Sequence, residues 1–283
     1  MFEAFQLPFF RTALIAILVL AGIHAYLGYH VVRRGVIFVD LALAQMAALG
    51  LAIALVLGIE HDSIYSYLLP VGMTLVGAAS FAWLRRAERH APLEAFIGIV
   101  FATAQAAVFL VLEKSPAGPE HIKESLVGSL LTVDPKQVAV VAAGYALIGL
   151  IHWLVRRPIF EITEDPVAAE ARGRRLFWWD FFFYGLFGLV VTSAVQIAGV
   201  LLVFGLLVIP AVAALLVSRG ARAALIIGWI FATVASVAGL VGSIQFDAPA
   251  TPSILVALTA GLLVMGVVRR VRGARDNRGP GSA

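Results

Sequence analysis

The stretch VQIAGVLLVFGLLVIPAVAALLVS occupies residues 195–218 and contains no charged side chain. A helix needs about 20 such residues to cross about 30 Å of hydrocarbon, so 197–217 reads as a membrane span. Pro210 lies inside it. It reads as either a helix break at a gated segment or an ordinary packing kink. Moving outward, comparable apolar runs lie at roughly 9–32, 36–58, 64–84, 93–113, 137–155, 177–195, 223–244 and 253–268. With the first run these make nine spans, or eight if a boundary between 113 and 137 is misread. Residues 118–131 (GPEHIKESLVGSLL) are amphipathic and too short to cross, which suits an interfacial or re-entrant piece. The expected fold is an all-α, polytopic transmembrane bundle forming one domain over 1–283.

Composition agrees. The chain is 61% hydrophobic and 13% charged, against about 45–50% and about 25% in soluble domains. There is no cysteine, which removes disulfides, thiolate metal sites and cysteine nucleophiles. The net charge of +4 records orientation and carries no sign of a nucleic-acid partner. Alternate gaps are basic: Arg33 and Arg34, then Arg85, Arg86 and Arg89, then 156–175, then Arg219 and Arg222, then the tail from Arg269. Placing these gaps in the cytoplasm puts 17 of the 21 Lys and Arg inside. The N-terminus is then outside and the C-terminus cytoplasmic. Nothing at the N-terminus resembles a cleavable signal. The longest polar stretch, 156–176, becomes a cytoplasmic loop, and 269–283 a basic tail without stable structure. The pattern G-x-x-x-x-G-K-[ST] does not occur, so energy for uphill transport must come from a partner or from an ion gradient.

Ionisable residues inside spans cost several kcal/mol and mark pathways. Asp40 lies about 9 Å beyond Arg34 if the helix begins there, and it reads as a pathway contact or as a partner of Arg33 or Arg34. His24 reaches a similar depth on the first span, and Glu94 is five residues beyond Arg89. Gln45 follows Asp40 on a different part of the helix surface. His30, His152 and Asp180 read as interfacial, the last within an aromatic belt, RRLFWWDFFFY.

Three segments resemble the permease subunits of ABC importers for zinc, manganese and iron. They are GYHVVRRGVIFVDLALAQMAALG (28–50), VQIAGVLLVFGLLVIPAVAALLVS (195–218) and FDAPATPSILVAL (246–258). APLEAFIGIVFA (91–102) and ESLVGSLLTV (124–133) are weaker matches. The resemblance implies a permease like those of type II importers, working as a homodimer. It would be fed by an extracytoplasmic metal-binding protein and driven by cytoplasmic ATPases, in the inner membrane of a prokaryote. The metal is cargo, no cofactor is held permanently, and ATP acts only through the partner subunit. Family members carry an Asp and a His one helical turn apart on the second span. Asp40 matches the Asp, whereas Ala44 stands at the His position. The resemblance also extends to a cytoplasmic loop that docks on the ATPase, through Asp165, Ala169 and Gly173. Asp165-Pro166 is a good helix start there and Gly173 a good stop. The alternative without ATPases is an ion-gradient-driven secondary transporter using Asp40, Glu94 and the histidines as a relay. An intramembrane hydrolase would need H-E-x-x-H, which is absent.

Overall fold

A computed structural model describes residues 7–60, 63–85, 91–113, 128 and 130–276. The amphipathic stretch at 118–131 lies mostly outside them, apart from Gly128 and a 3-10 turn at Leu130–Thr132. All described regular structure is helical: α1 (Pro8–Arg34), α2 (Val39–Val56), α3 (Ile64–Leu84), α4 (Leu93–Leu112), α5 (Pro135–Leu154), α6 (Arg156–Glu164), α7 (Pro166–Ala171), α8 (Leu176–Val217), α9 (Ala221–Gln245) and α10 (Ala250–Asp276). Eight of these are long and apolar enough to cross a membrane.

Local chemistry sets the ends. Pro8 and Pro135 sit in first turns, where the missing N–H costs nothing. Asp134 accepts the Lys136 N–H at 2.9 Å and caps α5. Gly35, with φ 68°, ends α1 in a left-handed turn, and Val36 N–H reaches back to the Val31 carbonyl. Because 35–38 is spent turning, Asp40 falls in the first turn of α2. The expected depth of about 9 Å is therefore corrected: Asp40 lies at the corner, and His24 lies about 15 Å up α1 from Arg34.

α8 holds 42 residues, yet it is not one rod. Asp180 bonds Arg34, and a Cβ at Gly28 would touch the Leu207 carbonyl, so both ends of this stretch lie along the last turns of α1. A straight helix would separate Asp180 and Leu207 by about 40 Å. The chain instead doubles back at Gly199, whose φ 74°, ψ 158° is essentially available only to glycine. The two arms, 176–198 and 200–217, coincide with the runs expected at 177–195 and 197–217. Of the two readings of Pro210, the helix break is corrected: the break lies at Gly199. Pro210 is buried within continuing helix, and the only non-helical residue inside α8 is Gly199. Gly128 packs against this bend, where a Cβ would lie 2.3 Å from the Ala198 carbonyl carbon.

The hairpin forms the centre of the bundle, touching α1, α2, α3, α9 and α10, and α2 lies between α3 and α4. Its core is aromatic near Asp180, where Phe183, Tyr184 and Phe187 are fully buried. Two further corrections concern polar segments. The region 156–176 is expected from its sequence to hold one short helix after Asp165; that helix is α7, and a second, unexpected one, α6, precedes it. The basic tail is helical as far as Asp276, because arginine is a good helix former and α10 simply continues.

Candidate translocation and coupling site

Asp40 is 1% exposed, and its Oδ1 has no hydrogen-bond partner. A buried carboxylate without a partner is costly, so the neighbouring arginines were its expected relief. Neither serves it. Arg33 pairs with Glu164, while Arg34 bonds Asp180 and Thr163. Glu94 stands in the first turn of α4, beside the same corner. Its Oε1 accepts the Phe38 N–H at 3.0 Å, two residues before Asp40, and its Oε2 is unpartnered. The two carboxylates lie within electrostatic reach of each other. Phe38 stacks on Phe204 of the second α8 arm at 6.0 Å, bringing the hairpin to this corner.

The other candidates separate. Gln45 and Ala44 are buried further up α2. His24 belongs to a different face: its Nδ1 bonds the Leu20 carbonyl at 2.7 Å and its ring meets Tyr145 of α5 edge-on at 6.3 Å. Among the described residues, no three of His, Asp and Glu form a set able to hold a metal ion.

A second polar cluster lies at the same end of the bundle. Asp180 is fully buried, with Arg34 Nη1 on its Oδ1 at 3.0 Å and Arg85 Nη1 on its Oδ2 at 2.5 Å. The Arg34 guanidinium also lies 4.1 Å over the Phe183 ring. Asp180 thus joins α1, α3 and α8, a role sequence reasoning missed. Its only local signal was an acid set alone among aromatics.

The segment 156–173 folds against this cluster. Ile159 and Ile162 of α6 are buried, and Arg174 bonds Glu161 at 3.0 Å, which holds that exposed carboxyl below the usual range. Burial raises the Glu164 carboxyl, but hydrogen bonds from Arg33 and Tyr29 outweigh it and hold the group low. In α7, Asp165 accepts the Ala168 N–H at 2.9 Å, Pro166 takes the first turn, and Gly173 (φ 85°) closes the end. Ala169 is fully buried against the body, while Val167 is 77% exposed. α7 is therefore a short helix held on its inner side and presented on its outer side.

These features meet a defined relationship. The ABC 3 transport family matches residues 6–269. The chain belongs to the ABC 3 transport family. Within it, the chain is 24% identical over 271 residues to the probable iron transport system membrane protein of Haemophilus influenzae, covering 93% of this chain and 90% of that one. It is 25% identical to the manganese transport system membrane protein MntC of Halalkalibacterium halodurans (89% and 84% covered). It is 24% identical to the high-affinity zinc uptake system membrane protein ZnuB of Haemophilus influenzae (92% and 97% covered). Among solved structures, PsaBC from Streptococcus pneumoniae in complex with Fab has the same fold, with TM-score 0.77 at 21% identity over 92% of this chain and 91% of that one. This ABC 3 family chain is accordingly a multi-pass membrane permease.

Proposed function

We propose that the chain is the permease subunit of an ABC importer for manganese, iron or zinc, and that Asp40 and Glu94 form the metal contact at one end of its path. The observation that carries this reading is Asp40: buried, without a partner on Oδ1, and beside two arginines that are both engaged elsewhere. An oxygen pair without sulfur suits hard divalent cations, which favours manganese or iron(II) over zinc. Two carboxylates are too few for a coordination sphere, so water and a second copy of the chain complete it. A homodimer with this corner facing its axis meets that need.

The same proposal assigns Asp165, Ala169 and Gly173 to the surface that docks a cytoplasmic ATPase. α7 is an anchored helix exposed on its outer side, which is the form a docking element requires. An extracytoplasmic metal-binding protein delivers the cargo at the opposite end. The path crosses nine segments, counting both arms of α8, with the end carrying Arg34, Arg85 and Asp180 in the cytoplasm.

Uptake of manganese(II), iron(II) and zinc(II) into cells carrying the complete transporter tests the metal site. Asp40→Asn, which keeps the shape and removes the charge, lowers uptake of the native cargo at least tenfold while the subunits still co-purify. Native uptake by that variant overturns the assignment of Asp40.

A further inference from the structure

The connection between α7 and the metal corner is built from polar contacts, buried at Thr163 and Arg34, rather than a slack linker. Thr163 is 3% exposed and lies two residues before the Asp165 cap. Its hydroxyl donates to the Ile159 carbonyl at 2.8 Å. With its one proton so used, the same oxygen accepts from Arg34 Nε at 3.0 Å and from His30 Nδ1 at 2.8 Å. Next to it, Glu164 accepts from Arg33 and from the Tyr29 hydroxyl. Four contacts, from Tyr29, His30, Arg33 and Arg34, thus fix the end of α6 to the last two turns of α1. Arg34 carries the connection inward to Asp180, and Asp180 to Arg85. From Arg34 the chain runs through the Gly35 turn to Phe38, whose N–H is held by Glu94, and then to Asp40.

We infer that Thr163, Glu164 and Arg34 form a latch that makes α7 and the α1–α2 corner move as one body, so that a displacement at the ATPase surface is delivered to Asp40 and Glu94. This rests on the permease reading above. The physical ground is that the buried, multiply bonded Thr163 and Arg34 resist shear, because separating them leaves a buried acceptor and a buried charge unpaired, while the half-exposed Glu164 adds a second point of attachment. A segment joined only by exposed loop would absorb the same displacement. Thr163, Glu164 and Arg34 are positioning residues: they touch neither cargo nor nucleotide.

The test uses the native transporter with its ATPase and metal-binding protein in proteoliposomes, measuring metal taken up per ATP hydrolysed. The cargo is whichever of manganese(II), iron(II) or zinc(II) the native complex takes up. Thr163→Val keeps the shape but strips the acceptor from Arg34 and His30. It leaves ATP hydrolysis within twofold of native, whereas metal per ATP falls at least fivefold. Thr163→Ser, which restores the hydroxyl, returns the ratio to within twofold of native. Glu164→Ala, at a half-exposed position, lowers the ratio at least twofold and provides the reading if Thr163→Val fails to assemble. A native ratio in either assembled loss variant overturns the latch. So does a parallel fall of hydrolysis and uptake at constant ratio, which marks a merely structural role. Absence of ATP-dependent uptake by the native complex instead overturns the permease reading, and it is seen before any variant is compared.

Discussion

At the residue scale, two carboxylates with similar sequence surroundings end in opposite conditions. Asp180 is neutralised twice over, by Arg34 and Arg85, while Asp40 has an oxygen with no partner. Removing Asp180 leaves two arginines close together with no counter-charge, at a cost of about 3–5 kcal/mol. Asp180→Asn therefore lowers the thermal stability of the purified protein strongly. The double variant Asp180→Asn with Arg85→Gln loses less than the two single losses combined, because it removes one charge of each sign. Thermal unfolding in detergent measures both. Glu164 gives a pH dependence. Its carboxyl is held low in the folded protein, so its contribution is complete above the unfolded carboxyl pKa and is lost as pH falls through the folded value. The difference in metal per ATP between the native protein and Glu164→Ala hence stays constant from pH 6 to 8, and a steep change of that difference in this window, measured in proteoliposomes, contradicts the assignment. Asp40 was legible in the sequence as an acid in an apolar run. Asp180's role was not, because its partners lie 146 and 95 residues away and no local pattern announces them.

At the scale of elements, helix extents follow from hydropathy to within a few residues, and the failures have specific causes. α6 (RRPIFEITE) was missed because it is short and polar and was read only as part of the cytoplasmic stretch 156–176. Pro210 was one candidate for a helix break because proline is the usual kink residue. The backbone bends at Gly199 instead, where glycine alone fits. Close helix contact produces a paired prediction. At Gly28 a Cβ would sit 1.9 Å from the Leu207 carbonyl oxygen, whereas at Gly22 it would meet nothing within 4 Å. Gly28→Ala must push α1 off the second arm of α8 and costs about 1–3 kcal/mol or more. Gly22→Ala, on the same helix, is neutral or slightly stabilising through helix propensity. Unfolding temperatures of the two variants, measured side by side, check this.

At the scale of the whole molecule, the natural chain has no cysteine, so single introduced cysteines report sidedness without background. Arg174→Cys and Arg219→Cys react with a membrane-impermeant thiol reagent only from the cytoplasmic face, and Asp134→Cys and Asp247→Cys only from the opposite face. Labelling of intact cells and of inverted vesicles separates the nine-crossing arrangement from one with a single crossing for α8. The sequence reading reached the order of the long apolar helices, because it is a property of composition along the chain. It did not reach the packing order, in which α8 sits at the centre, because that depends on which small residues meet across helices.

The bend at Gly199 also bears on how the protein is made. From Phe181 to Ser218 the chain carries no charged residue, so no polar loop marks where the first arm ends and the second begins. The insertion machinery meets one unbroken apolar stretch nearly twice the length of a span. In the nine-crossing arrangement the two arms enter the bilayer together, as a pre-paired hairpin, and the turn is placed by a glycine and by Gly128 closing over it. A charge added near Gly199 would supply the missing signpost during synthesis, and a bulky residue at Gly128 would delay the pair from settling into the bundle.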